Sequence, residues 1–314
     1  MTALRKLGSS DLEVFPLSLG GNVFGWTADT AQSFAVLDAY TAAGGNFVDT
    51  ADAYSAWVPG NKGGESETVI GQWLAARGNR SDVIIATKVS QHPDYKGLRS
   101  ATIKAAADAS LRRLGTDYID LYYTHFDQPE VPVEEIIGAL DDLVKAGKVR
   151  AIGASNISAD RLKESLDFSD RENLVRYTAL QPHYNLVSRD TYEGPLEEVA
   201  ARAGVAAVPY YALAAGFLTG KYRPGTTVDS ARAQGAGKYL ASERGRRVLA
   251  ALDEVARSRG AEIPTVALAW LASRPTVAAP IASARTVEQL PALLAVADLT
   301  LTDEDLERLT EASA

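Results

Sequence analysis

The sequence predicts an α/β chain folded as a (β/α)8 TIM barrel, and three observations carry that expectation. Eight short runs rich in Val, Ile, Ala or Leu alternate with segments of helical apolar period. A strand-then-helix order repeated this regularly calls for parallel strands joined by right-handed crossovers. An open dinucleotide-binding sheet would instead show a Gly-x-Gly-x-x-Gly turn after an early strand, and Gly20-Gly21-Asn22-Val23-Phe24-Gly25 does not fit it. Eight units in 314 residues suit one closed barrel spanning residues 1–314, with no linker in the middle.

The elements follow in order. Residues 4–14 carry Gly8-Ser9-Ser10-Asp11 between apolar positions and read as a hairpin. Strands are expected at 17–20, 47–49, 83–87, 119–123, 149–152, 178–180, 205–209 and 276–281. Helices are expected at 30–43, 65–76, 100–114, 133–146, 159–166, 189–203 (with Pro195 kinking it) and 286–295. Glycines close several of them, including Gly44, Gly115, Gly147 and Gly204. Thr302-Asp-Glu-Asp305 begins a last helix with a capping-box-like signal. The loosest stretch is 222–245, rich in Gly, Ala, Ser and Arg, which reads as surface or as a loop folding over a ligand.

Composition narrows the function. The net charge of −8 disfavours a broad basic face for nucleic acid. The chain has no cysteine, which excludes disulfides, thiolate metal sites and a cysteine nucleophile. Three histidines, His92, His125 and His183, disfavour a multi-histidine metal site. The first residues lack the apolar core of a signal peptide, and no run of about 18 apolar residues exists to span a membrane. A cytoplasmic protein without metal, nucleic-acid partner or membrane segment is expected.

In a parallel barrel the C-terminal strand ends gather at one mouth, where active sites sit. The expected strands deliver Asp49, Lys88, His125, Ser155-Asn156, Gln181, Tyr210 and Ser283 to Arg285 to that mouth. Tyr54 follows Asp49 on a short polar turn. A lysine beside Tyr54 is expected to pull the phenol's pKa down, and Asp49 to keep that lysine charged and fixed. With His125 donating to an incoming oxygen, Tyr54, Lys88 and Asp49 form a proton-delivery site for a carbonyl oxygen becoming an alkoxide. No side chain supplies a hydride, so a nicotinamide cofactor is implied.

The remaining strand ends suit that cofactor. Ser155, Asn156 and Gln181 match a carboxamide, and Tyr210 offers a flat face for the ring. Residues 213–221 bring Leu213, Gly216, Leu218 and Gly220 as a small-residue, backbone-rich segment for a pyrophosphate, with Lys221 as counter-charge. Thr286 and Gln289 have capping-box spacing, so a helix N-terminus is expected there, next to Ser283 and Arg285. Arg285 is placed to fork onto a 2′-phosphate, which favours NADP, as NADPH, over NAD. Phe24, Trp26, Trp57, Val58 and Phe126 are the candidate walls for a small-molecule carbonyl substrate.

These segments carry a resemblance. Phe47-Val-Asp-Thr-Ala-Asp-Ala-Tyr54, Ile85-Ala-Thr-Lys88, Asp117-Tyr-Ile-Asp-Leu-Tyr-Tyr-Thr-His125, Gly147-Lys-Val-Arg-Ala-Ile-Gly-Ala-Ser-Asn156, Leu180-Gln-Pro-His-Tyr-Asn185 and Gly216-Phe-Leu-Thr-Gly-Lys221 stand in the order of the aldo-keto reductase superfamily, which the chain resembles. The likeness is greatest to bacterial members related to the potassium-channel β-subunit and aflatoxin-aldehyde branches. It implies a barrel plugged at the bottom by the N-terminal hairpin and reversible, NADPH-dependent carbonyl reduction. It also implies Tyr54 as general acid, Lys88 and Asp49 as its tuning pair, and His125 as substrate orienter. Departures from the pattern are Tyr211-Ala212 where many relatives have Ser-Pro, Ala282-Ser283 in place of Pro-Gly, and Pro291-Ala292-Leu293 where an adenine grip is usual. Two other functions compete: a cofactor-binding regulatory subunit with little turnover, and a Schiff-base lyase using Lys88.

Overall fold

The structure is a computed structural model and describes residues 3–223, 225, 228 and 233–314. Its first strands, β1 (Arg5–Lys6) and β2 (Glu13–Val14), pair antiparallel as the expected hairpin. The apolar runs that follow form β3 (Ser18–Gly20), β4 (Phe47–Asp49), β5 (Ile84–Val89), β6 (Ile119–Thr124), β7 (Val149–Ser155), β8 (Tyr177–Gln181), β9 (Ala206–Ala207) and β10 (Ile281–Ala282). These eight are parallel, in the spatial order β10-β3-β4-β5-β6-β7-β8-β9. The sheet curls shut between its ends. Ala207 bridges to Val277, Ala278 donates its N–H to Ala207 at 2.9 Å, and Ile281 donates to Pro209 at 2.9 Å. The result is a (β/α)8 barrel.

Helices α1 (Thr30–Ala42), α2 (Glu65–Arg77), α3 (Ser100–Leu114), α4 (Val133–Lys145), α5 (Ala159–Glu172) and α6 (Pro195–Ala203) alternate with the strands. Gly115 and Gly204 end α3 and α6 in the left-handed conformation that lets the chain leave a helix without a Cβ penalty. Then come α7 (Ala233–Ala241), α8 (Glu243–Arg259), α9 (Ile263–Ala272), α10 (Leu290–Leu294) and α11 (Asp303–Ala312). Thr302 and Asp305 form a full capping box at α11.

Four expectations are corrected. The helix expected from 189 starts at Pro195, which seats its missing N–H in the first turn instead of kinking a longer helix. The helix expected from 286 is a 3-10 turn, Val287–Gln289, followed by α10, and Thr286 makes no side-chain cap. Gln289 instead accepts the Arg285 main-chain N–H at 2.8 Å. The strand expected at 276–281 is interrupted: Val277 bridges to Ala207, and the ladder resumes as β10 after Pro280, which has no N–H to donate. Finally, α8 and α9 fill a stretch to which the sequence reading assigned nothing. Nearly every residue of α9 is buried, so it lacks the one-sided stripe that marks an amphipathic helix. Within 222–245, α7 accounts for 233–241, and 224, 226, 227 and 229–232 lie outside the described residues, so a lid there is not described.

Pleating sets what the barrel holds. Alternate residues face inward, and the lower inward positions are apolar. Phe47, Ala86, Leu121, Tyr123, Ala151, Ala179, Val208, Ala279 and Ile281 form an interior core together with Leu7, Leu12 and Val14 of the hairpin. The hairpin therefore plugs the N-terminal end. Two residues further along, the same pleat turns Asp49, Lys88, His125, Gln181, Tyr210 and Ser283 toward the open end. The plug has a strict requirement at its tip: Gly8 has φ of 58°, and a Cβ there would stand 2.1 Å from the Thr178 carbonyl oxygen. Gly8→Ala is expected to lower unfolding free energy by about 2–4 kcal/mol in urea denaturation, combining left-handed strain with overpacking. An unchanged midpoint would mean that the hairpin tip is not seated in the barrel.

Candidate active site

The site is organised by a lysine with no solvent exposure. Lys88 Nζ donates to Asp49 Oδ2 at 2.8 Å, to the Thr50 carbonyl at 2.6 Å and to Tyr54 OH at 2.9 Å. Three acceptors match the three protons of an ammonium. Tyr54 reaches the lysine because the chain turns back after β4. The Tyr54 N–H donates to Ala51, and Ser55, with φ of 71°, anchors its hydroxyl on the Phe24 carbonyl at 2.9 Å. The Tyr54 hydroxyl also lies 3.4 Å from Asp49 Oδ2. Asp49 Oδ1 accepts from Gln181 Nε2 at 2.7 Å.

Burial reverses one expectation. The phenol of Tyr54 is pushed well above its ordinary pKa, first by burial and then by Asp49, so the lysine does not pull it down. Tyr54 is therefore a protonated donor at neutral pH. Lys88 is lowered by burial, against the opposing pull of Asp49. His125 is driven well below the usual imidazole range by burial and by Lys88, which leaves it neutral with one N–H. Its ring centroid lies 6.1 Å from that of Tyr54.

Behind this group sits a pair of acids that the sequence reading did not single out. Glu67 accepts from Thr87 Oγ1 at 2.6 Å and from Arg113 Nε at 2.6 Å. Asp52 is fully buried, and among the described residues no side chain hydrogen-bonds to its carboxyl oxygens. Burial and Glu67 raise its pKa well above the carboxylate range. The Asp-Thr-Ala-Asp spacing carried a signal for it, since the second acid follows the first within one turn.

The amide-bearing residues meet on the next strands. Ser155 Oγ donates to the Gln181 carbonyl at 2.8 Å, and Asn156 Nδ2 donates to the His125 carbonyl at 2.8 Å and to Ser155 Oγ at 3.0 Å. Tyr210 OH donates to Asn156 Oδ1 at 2.8 Å. The segment after Tyr210 runs left-handed through Ala214, Ala215 and Gly216. Leu213 is half-buried and Leu218 lies wholly in the core, so Leu218 offers only its backbone. Gly220 ends the turn, and Lys221 is exposed with its ammonium 5.1 Å from the Tyr222 ring centre. Ser283 donates to Asn22 Oδ1 at 2.7 Å, while Arg285 and Gln289 are exposed.

Of the five expected pocket walls, Trp57 and Phe126 are exposed and Trp26 and Val58 are half-buried. Trp26 meets Trp57 edge-on with centroids 5.6 Å apart, Trp57 meets Tyr54 at 6.1 Å, and Phe126 meets His125 at 5.1 Å. Val58 is half-buried beside Trp57 in the chain. Phe24 is not a wall: it is fully buried in the outer core. Tyr211, whose exposure nothing local in the sequence marks, is 53% exposed and packs against Tyr210 and His183.

Residues 16–314 match the model of the Aldo/keto reductase family. The chain belongs to the aldo/keto reductase family. Protein Tas of Escherichia coli (strain K12) is 33% identical, with 97% of this chain and 96% of that protein covered. The aryl-alcohol dehydrogenase [NADP(+)] of Phanerodontia chrysosporium is 31% identical over 96% of this chain and 83% of its own length. A probable voltage-gated potassium channel subunit beta from rice (Oryza sativa subsp. japonica) is 34% identical over 91% of this chain and 88% of its own. Membership of this family supports oxidoreductase chemistry on carbonyl compounds. Among the described residues, no group of three or more His, Asp or Glu could hold a metal ion, and no helix is long and apolar enough to cross a membrane.

The imidazole of His125 gives a stability test with a definite sign. Its pKa is depressed in the folded state, so on acidification the unfolded chain binds a proton that the folded chain does not. Stability linked to His125 is present above the unfolded value of about 6.5 and is lost as pH falls below it. Relative to His125→Gln, the unmutated protein is expected to lose about 1 kcal/mol between about pH 7.5 and about pH 5.5 in denaturant titrations. Parallel pH dependence in the two proteins would contradict a half-buried, neutral imidazole.

Proposed function

We propose that the protein reduces aldehydes or ketones to alcohols with NADPH, using Tyr54 as the general acid. The observation that carries this reading is the Tyr54 hydroxyl held 2.9 Å from Lys88 Nζ, with Asp49 on the other side of the same lysine. A carbonyl oxygen admitted under the aromatic rim meets two donors, the Tyr54 O–H and the neutral His125 N–H. Tyr54 gives its proton as negative charge develops on that oxygen. Lys88 stabilises the phenolate left behind, and Asp49 keeps Lys88 fixed.

The residues present fit a nicotinamide dinucleotide. Ser155, Asn156 and Gln181 offer hydroxyl and amide groups side by side, and Tyr210 offers a ring next to them. The left-handed turn through Ala214, Ala215 and Gly216 leads to the exposed Lys221, whose ammonium suits a pyrophosphate as counter-charge. Arg285 is an exposed guanidinium at the end of β10, suited to a 2′-phosphate. When bound, the cofactor supplies the hydride. Trp26, Trp57, Phe126 and Tyr211 favour substrates with a flat apolar part.

The geometry argues against the lyase reading. All three protons of Lys88 are engaged and the side chain is buried, which leaves no free amine to attack a carbonyl. A regulatory role draws support from the rice relative's name, and turnover separates it from the reductase reading. Tyr54→Phe is expected to lower kcat for aldehyde reduction by about a hundredfold or more while NADPH still binds, measured by cofactor oxidation and fluorescence titration. Near-normal turnover would remove Tyr54 as the acid. Arg285→Ala should weaken NADPH binding about tenfold more than NADH binding; equal effects on the two would take Arg285 out of the phosphate site.

A further inference from the structure

Gln181 closes β8, and the residue is 2% exposed. Its Nε2 donates to Asp49 Oδ1 at 2.7 Å, and its main-chain carbonyl accepts from Ser155 Oγ at 2.8 Å. The orientation of the amide follows from charge: an amide oxygen that close to a carboxylate oxygen would be repelled, so the NH2 end faces Asp49. Asp49 is thus gripped on both oxygens, by Lys88 and Tyr54 on Oδ2 and by Gln181 on Oδ1. A buried carboxylate needs donors on both sides, and a side that lacks one lets the group rotate or draw a proton. Tyr123, on the neighbouring inward face, lies close enough for Asp49 and Gln181 both to act on its phenol.

The other side of Gln181 leads to the amide-bearing residues. Ser155 links it to Asn156, and Asn156 to Tyr210. Gln181 therefore joins two hydrogen-bonded groups, the one around the Tyr54 acid and the one suited to a carboxamide.

We infer that Gln181 is a positioning residue for the acid: it orients Asp49 and, through it, the Lys88–Tyr54 pair, so that the cofactor side and the proton-donating side of the site are mechanically one unit. The inference rests on the reading of Tyr54 as the general acid. Gln181→Met keeps the length and removes the donor. Gln181→Glu keeps the shape, but its carboxyl donates to Asp49 only when protonated.

Both variants are assayed for aldehyde reduction at saturating NADPH across pH, with NADPH affinity measured separately by fluorescence. In Gln181→Met, kcat is expected to fall about tenfold even at saturation, the loss of one buried hydrogen bond to a charged group. In Gln181→Glu, the kcat profile is expected to gain a new ionisation, with activity recovered on the acid side, where the introduced carboxyl is protonated. If saturating NADPH restores full kcat to Gln181→Met, and Gln181→Glu follows the unmutated profile, Gln181 only grips the cofactor and the inference is overturned. Tyr54→Phe in the same assay keeps the two ideas apart. Its retained turnover would remove the acid assignment, whereas its loss beside an unaffected Gln181→Met overturns only the role of Gln181.

Discussion

A fully buried ammonium sets the terms for this molecule. Lys88 sits inside the barrel with no exposure, and a charge there is tolerable only if every proton finds an oxygen. Asp49, Thr50 and Tyr54 supply the three. Each partner then acquires demands of its own. Asp49 needs a donor on its free oxygen and finds Gln181. Tyr54 must leave the strand yet return to the lysine, which fixes the turn after β4. Removing either member of such a pair commonly costs about 3–5 kcal/mol, because the survivor is a buried, unpaired charge. The constraint that builds the chemistry is also a constraint on the fold.

The barrel meets that constraint by layering. Along several strands the inward residue is apolar near the plug and polar two residues later, as in Ala86 then Lys88 or Ala179 then Gln181. The apolar floor, sealed by Leu7, Leu12 and Val14, excludes water from below. The low-dielectric surroundings strengthen the Lys88–Asp49 attraction, and they also hold Tyr54 protonated and His125 neutral. A tyrosine with a raised pKa is a poor base and a ready hydrogen-bond donor. That suits the proton-donating role proposed for Tyr54.

Much of this was legible in the sequence because strand order and residue parity are local properties. Asp49, Lys88, His125, Ser155, Gln181 and Tyr210 each follow a short apolar run, and a parallel barrel sends them all to one mouth. Properties that depend on what surrounds a residue were not legible. Phe24 and Trp57 are both aromatics near the site, yet one is sealed in the core and the other is 51% exposed. The direction of the Tyr54 pKa depends on burial and on a carboxylate 3.4 Å away, neither of which spacing reveals. Thr286 looked like a cap, but Gln289 took the Arg285 N–H and the chain made a 3-10 turn instead. Helix α9 hid because burial on all sides erases the period that marks a helix.

The proposed function joins hydride delivery from a nicotinamide to proton delivery from Tyr54. The most direct measurement is product analysis after reducing an aromatic aldehyde with NADPH deuterated at its transferable position. Mass spectrometry of the alcohol is predicted to find one deuterium on the former carbonyl carbon, with the hydroxyl proton drawn from solvent. An alcohol without deuterium, or NADPH that binds and is never consumed over a broad panel of aldehydes and ketones, would contradict the account.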